Sequence, residues 1–115
     1  MVYVKINAKE NSDLESISVG VDTNVASVSF MVGLGETNEY NQLQLTNINR
    51  HTIESLLPIW EQFNNVKLED VETVSVIGKN NKEIFNSEAT PYNITYLTEF
   101  SESGIAETIT FLFEK

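Results

Sequence analysis

The sequence predicts an α+β fold that is mostly β: an antiparallel β-sandwich or barrel of about eight strands, with one amphipathic helix over about residues 50–64 packed against it. Three observations carry this expectation. Short segments alternate apolar and polar residues from the N-terminus onward, the period of a half-buried strand. Once, in the middle of the chain, the period lengthens to that of a helix. Clusters of Gly, Asn, Asp and Ser punctuate the segments throughout. With 115 residues and 41% hydrophobic content, the chain has the size of a single domain, 1–115, and shows no repeat or linker.

Each element follows from its own residues. Val2, Val4, Ile6 and Ala8 alternate with Tyr3, Lys5 and Asn7, giving a first strand that ends in a turn over 9–13. A second runs from about Leu14 to Val21, with Ile17, Val19 and Val21 inward. Asp22, Thr23 and Asn24 then read as a hairpin turn into a third strand, Val25 to Val32, where Ala26, Val28, Phe30 and Val32 share a face. Gly33-Leu34-Gly35 and a polar run lead to a weaker strand, Tyr40 to Thr46, with Leu43 and Leu45 inward. Its Gln and Asn content suggests an edge or a solvated face. Ile53, Leu56, Leu57, Trp60 and Phe63 form one helical stripe, with Asn49 as expected N-cap and Asn64-Asn65 as stop. Pro58 conflicts with a helix interior, because it removes a backbone donor and costs about 3 kcal/mol or a kink. Val71 to Gly78 and Lys82 to Ser87 flank Lys79-Asn80-Asn81, a turn whose residues tolerate positive φ. Tyr92 to Thr98 and Ala106 to Phe113 complete the strands, with a turn at 101–104. The expected core comprises Val4, Ile6, Ile17, Val19, Val28, Phe30, Leu56, Leu57, Trp60, Phe63, Val74, Val76, Ile94, Ile109, Phe111 and Phe113.

Composition narrows the function. Seventeen acidic residues against seven Lys and Arg give a formal net charge of -10. With no basic patch to displace counterions from phosphate, the chain is not expected to bind nucleic acid directly, and its charge repels anionic membranes. The absence of Cys excludes disulfides and zinc-thiolate sites and fits a reducing compartment. The N-terminal residues alternate and carry no basic region, so no signal peptide is expected, and no stretch approaches the roughly 18 apolar residues of a membrane span. A cytoplasmic location, or a virion-associated one, is the corresponding expectation. Asn93-Ile94-Thr95 has the spelling of a glycosylation acceptor, which has consequences only in a secreted chain.

Candidate chemistry is sparse. His51 is the single His, read as an exposed residue near the helix start and dispensable for any activity. Glu69, Asp70 and Glu72 form the densest acidic group and lack the periodicity of a calcium loop, which makes them a solvated connector. Gly33-Leu34-Gly35-Glu36 lacks the further Gly and the Lys of a phosphate loop. Neither a catalytic residue nor a cofactor or metal site is assigned, and an enzyme is not expected.

Two strands carry apolar residues on both faces. Val25 and Met31 oppose the main face of the third strand, and Leu112 opposes Ile109, Phe111 and Phe113 in the last. Tyr92 and Tyr96 share strand parity with Ile94, and Tyr is comfortable half-buried at an interface. Val25, Met31, Tyr92, Tyr96 and Leu112 are therefore the candidate interface, to be covered either by the helix or by a partner. The expected function is a noncatalytic protein-protein interaction or assembly module, with a protein partner or a second copy. The strand-rich plan with one flanking helix resembles phage tail and baseplate building blocks, which implies a small subunit of a phage or mobile-element particle. The alternative is an acidic inhibitor that mimics nucleic acid and blocks a basic groove on an enzyme, as anti-restriction and anti-CRISPR proteins do. A module should self-associate through apolar strand faces; a mimic should gather its carboxylates on one face.

Overall fold

The computed structural model describes residues 1–50 and 52–115, the side chain of residue 47 excepted; His51 lies outside the described residues. Eight strands and one helix follow in the order β1 (Val2–Ala8), β2 (Ile17–Val21), β3 (Ser27–Met31), β4 (Tyr40–Arg50), α1 (Ile53–Asn64), β5 (Val71–Ile77), β6 (Glu83–Asn86), β7 (Asn93–Ser101) and β8 (Gly104–Glu114). The strands form two four-stranded sheets, β2-β1-β5-β6 (sheet I) and β3-β4-β8-β7 (sheet II). Every ladder is antiparallel. Among the described residues no closed barrel forms, and the fold is a sandwich with one α-helix.

Register decides which side chains meet, because residues opposed across a ladder share a face. In sheet I, Val4 lies between Val19 and Val76, and Ile6 between Ile17 and Val74. In sheet II, Leu43 lies between Phe30 and Phe111, and Leu45 between Val28 and Ile109. The buried members of these rows belong to one apolar cluster that spans both sheets. Each fully buried side chain of this size contributes roughly 1.5–3 kcal/mol relative to exposure.

The turns explain the connections. Lys79-Asn80-Asn81 closes the β5–β6 hairpin with Asn80 and Asn81 at φ 60 and 56, as their residue type allows. At the β7–β8 turn, Gly104 adopts φ 139, a conformation that a Cβ would strain. Between β2 and β3 the expected hairpin does not form. Asp22 accepts from the Asn24 N–H through Oδ1 and from Ala26 N–H through its carbonyl, and this turn carries the chain from sheet I to sheet II. Short polar turns serve both purposes, so local chemistry did not distinguish a crossing from a hairpin. Val25 falls in this turn and outside β3.

Other boundaries shift for identifiable reasons. β2 begins at Ile17, while Leu14 packs against the core from the preceding loop. β4 runs on to Arg50 and is an inner strand of its sheet, not an edge; its Gln residues face solvent. A shift of register between Leu45 and Ile48 breaks the simple alternation there. The extension displaces the helix start: Asn49 pairs with Ala106, and Thr52 caps α1, its Oγ1 accepting from the Ser55 N–H at 3.3 Å. Asn65 ends the helix, its N–H reaching the Gln62 and Phe63 carbonyls. Pro58 does lie inside the helix, where the Glu54 carbonyl loses its usual donor.

The helical stripe is divided. Leu56 is buried, Trp60 and Phe63 are half-buried, and Ile53 and Leu57 are exposed. Leu57 and Phe30 thus leave the expected core: Leu57 faces solvent, and Phe30 sits on an edge strand, its ring 4.8 Å from Phe85. Val28 and Ile94 are likewise half-buried, while Val21, Leu43, Leu45, Ile48 and Val71 are buried.

Candidate functional site

The helix closes one side of the sandwich. Trp60 Nε1–H donates to Thr98 Oγ1 at 3.1 Å, and the Phe63 ring meets Tyr96 with centroids 5.0 Å apart. Both partners lie on β7, an edge strand of sheet II. Near its C-terminal end, Gln62 and Asn65 line a cleft together with Ile17 at the start of β2, so α1 bridges the two sheet edges on that side. Between α1 and β7 runs a groove of about 500 Å³, lined by Trp60, Phe63, Val66, Leu68, Ile94, Tyr96, Thr98 and Phe100, with Asn64 at its rim.

Beside the groove, β8 carries a charge into the core face. Glu107 lies opposite Thr98 on one side and Ile48 on the other, and its side chain is 0% exposed. Arg50 Nε donates to Glu107 Oε2 at 2.7 Å, and the Tyr96 hydroxyl donates to Oε1. Burial first, then the hydrogen bond to Glu107, pushes the Tyr96 phenol well above its ordinary value. Both carboxylate oxygens have donors, so the cluster acts as a tie between β4, β7 and β8 and not as an open acid or base. Its signal was present in the sequence: Glu107 has the parity of Ile109, Phe111 and Phe113 and interrupts an otherwise apolar face.

The opposite face of sheet II has no cover among the described residues. Its rows, read across β3, β4, β8 and β7, are Met31-Gln42-Leu112-Asn93 and Ser29-Gln44-Thr110-Thr95, and beyond them, where the β4–β8 register shifts, Ser27 opposes Thr46 and Thr108 opposes Leu97. The helix lies against the other face, because its partners Tyr96 and Thr98 oppose Ile109 and Glu107. Met31 and Leu112 thus come into one row, two strands apart. Val25 stands apart in the β2–β3 turn. Tyr92 precedes β7 and packs on Tyr40 with ring centroids 5.9 Å apart, while Tyr96 lies under α1, so the two tyrosines are not brought together.

The feature that dominates this side of the molecule has no local signal in the sequence. β7 is an edge strand of nine residues, whereas the other edges, β2, β3 and β6, have five, five and four. Its free side has no backbone hydrogen-bond partner among the described residues. Leu97 is 50% exposed and Phe100 65%. Edge strands are ordinarily kept short, bulged, studded with Lys and Pro, or covered by a helix; β7 contains one charge, Glu99, and neither Lys, Pro nor a bulge, and α1 packs on its inward side chains Tyr96 and Thr98 while Leu97 and Phe100 stay exposed.

Acidic residues gather elsewhere. Ala8 pairs with Val71, Lys9 N–H donates to the Asp70 carbonyl and Thr90 Oγ1 to that of Glu72. These links bring Glu72 of β5 and the segments bearing Glu10, Asp13, Glu15, Glu69, Asp70 and Glu88 to one end of sheet I. Among the described residues no group of three or more His, Asp or Glu is close enough to hold a metal ion, and no helix is long and apolar enough to cross a membrane. Comparison with known proteins finds no family model, curated protein or solved structure that matches this chain.

Proposed function

We propose that the chain is a noncatalytic protein-interaction or assembly module whose contact surface is the β7 side of sheet II. The observation that carries the reading is the long, unblunted β7 edge with exposed Leu97 and Phe100 beside it. Unpaired N–H and C=O groups in a row are a template for another strand, and apolar side chains next to them add area that water leaves on contact. Met31 and Leu112 extend this surface across the uncovered face. A small subunit of a phage or mobile-element particle, of the tail or baseplate kind, is the finer form of the proposal, supported by the strand-rich plan with one flanking helix. It would act in the cytoplasm or within a virion, contacting protein and neither nucleic acid nor membrane.

A second reading is supported by the acidic end of sheet I: an inhibitor that occupies a basic groove on a nucleic-acid-processing enzyme. Salt separates the two. Apolar contacts persist or strengthen in salt, whereas contacts between opposite charges are screened over about 8 Å at physiological ionic strength. Sedimentation at low and high salt is expected to show a dimer or larger species that is at least as stable at high salt. A strict monomer in both, together with a salt-labile complex with a basic enzyme, would move the reading to the inhibitor.

A further inference from the structure

The occupant of the β7 edge follows from the strand's own order of residues. We propose that β7 pairs antiparallel with β7 of a second copy about a two-fold axis through Leu97, joining two sheets II into one continuous eight-stranded sheet. This rests on the interaction-module reading and adds the partner and the register.

Leu97 is the central residue of Asn93–Ser101. Antiparallel pairing about it matches every residue of the strand: Leu97 with Leu97, Tyr96 with Thr98, Thr95 with Glu99, Ile94 with Phe100 and Asn93 with Ser101. Opposed residues have the same parity, so the inner face of one copy continues into the inner face of the other. Phe100, 65% exposed in the single chain, gains Ile94 of the second copy, which lines the groove. Glu99 faces Thr95, and no like charges are opposed. Moving the axis to Glu99 would oppose two carboxylates, which is destabilising. Moving it to Tyr96 or Thr98 would take Phe100 away from Ile94. The exposed helical residues Ile53 and Leu57 form a stripe with Trp60 at i, i+4 and i+7, and Trp60 is bonded to β7. The stripe therefore continues the apolar surface beside the shared edge.

The chain contains no Cys, so single introduced thiols report the register directly. Opposed Cα atoms in an antiparallel pair are about 4.5–5.5 Å apart, within the range a disulfide spans. Two copies of residue 95 would be four residues out of register, roughly 14 Å apart at the rise of a strand. Under mild oxidation Leu97→Cys is expected to cross-link at least about tenfold faster than Thr95→Cys. A mixture of Thr95→Cys with Glu99→Cys should cross-link to the heterodimer, and Glu99→Cys alone should not. Leu97→Lys, which opposes two cations in the surface-exposed edge, should sediment as a monomer whose cooperative thermal unfolding no longer depends on protein concentration. Equal cross-linking of positions 95 and 97 overturns the proposed register. A wild-type dimer that persists in Leu97→Lys overturns the edge pairing but leaves the interaction-module reading in place, with another surface as its contact. A wild-type monomer at high concentration in both low and high salt overturns self-pairing and leaves only a foreign partner for that reading.

Discussion

Glu107 is the residue on which the interior of sheet II turns. A carboxylate taken out of water loses several kcal/mol of hydration, which its pairing must recover. Here Arg50, with 23% of its side chain exposed, and the Tyr96 hydroxyl supply donors to its two oxygens. The cost of the tie and its value separate in a set of variants. Arg50→Met leaves the buried charge with Tyr96 alone and is expected to cost about 3 kcal/mol in denaturant unfolding. Replacing the cluster together, Arg50→Met with Tyr96→Phe and Glu107→Leu, should return to within about 1 kcal/mol of the parent or exceed it. A triple variant as unstable as the single one would show that the polar cluster contributes net stability beyond satisfying itself. At this scale the sequence was readable but ambiguous. The parity of Glu107 marked an inward charge on β8, yet Arg50, its partner 57 residues away, becomes opposed to that strand only because β4 runs through the expected helix start.

At the scale of elements, α1 carries an internal conflict. Pro58 is the sixth residue of Ile53–Asn64, past the first turn where a missing N–H is harmless, and it is exposed. Pro58→Ala restores a donor to the Glu54 carbonyl and a better helix former, so it is expected to stabilise the fold by about 1–3 kcal/mol. A lower denaturant midpoint would mean that the ring's contacts, and not the helix backbone, set that position. Strand positions were legible because period-two alternation is local: Val4 and Ile6, Val74 and Val76, Ile109 and Phe111 all declare a buried face. The β5–β6 hairpin was legible from its Lys79-Asn80-Asn81 turn, but partners distant in sequence, such as β1 with β5 and β4 with β8, were not. The Asp22-Thr23-Asn24 turn suits a hairpin as well as a crossing between sheets. The end of β7 was also hidden, because the alternation gives a strand only to Thr98 and Ser101 reads as the start of a turn, and only pairing with 104–106 makes Glu99, Phe100 and Ser101 strand. The length that makes this edge notable could not be seen without that partner.

For the whole molecule, two surfaces of different chemistry flank the C-terminal end of α1: an acidic end on sheet I and the apolar, hydrogen-bond-ready edge of sheet II. A net charge of -10 keeps copies soluble and repels them at long range, while an edge strand and its apolar neighbours act at contact. Association between copies should therefore be governed by the edge once screening has reduced the repulsion. The composition revealed the charge but not its gathering, which depends on the loops meeting across β1, β5 and β6. Amide hydrogen exchange followed with increasing protein concentration at moderate salt addresses the central claim most directly, because a new strand pairing protects the outward N–H groups of one strand and few others. Concentration-dependent protection within Asn93–Ser101, with the acidic loops at 9–16 and 67–72 unchanged, is the expected result. Exchange in β7 that stays as fast in concentrated as in dilute protein, with or without protection elsewhere, would contradict it.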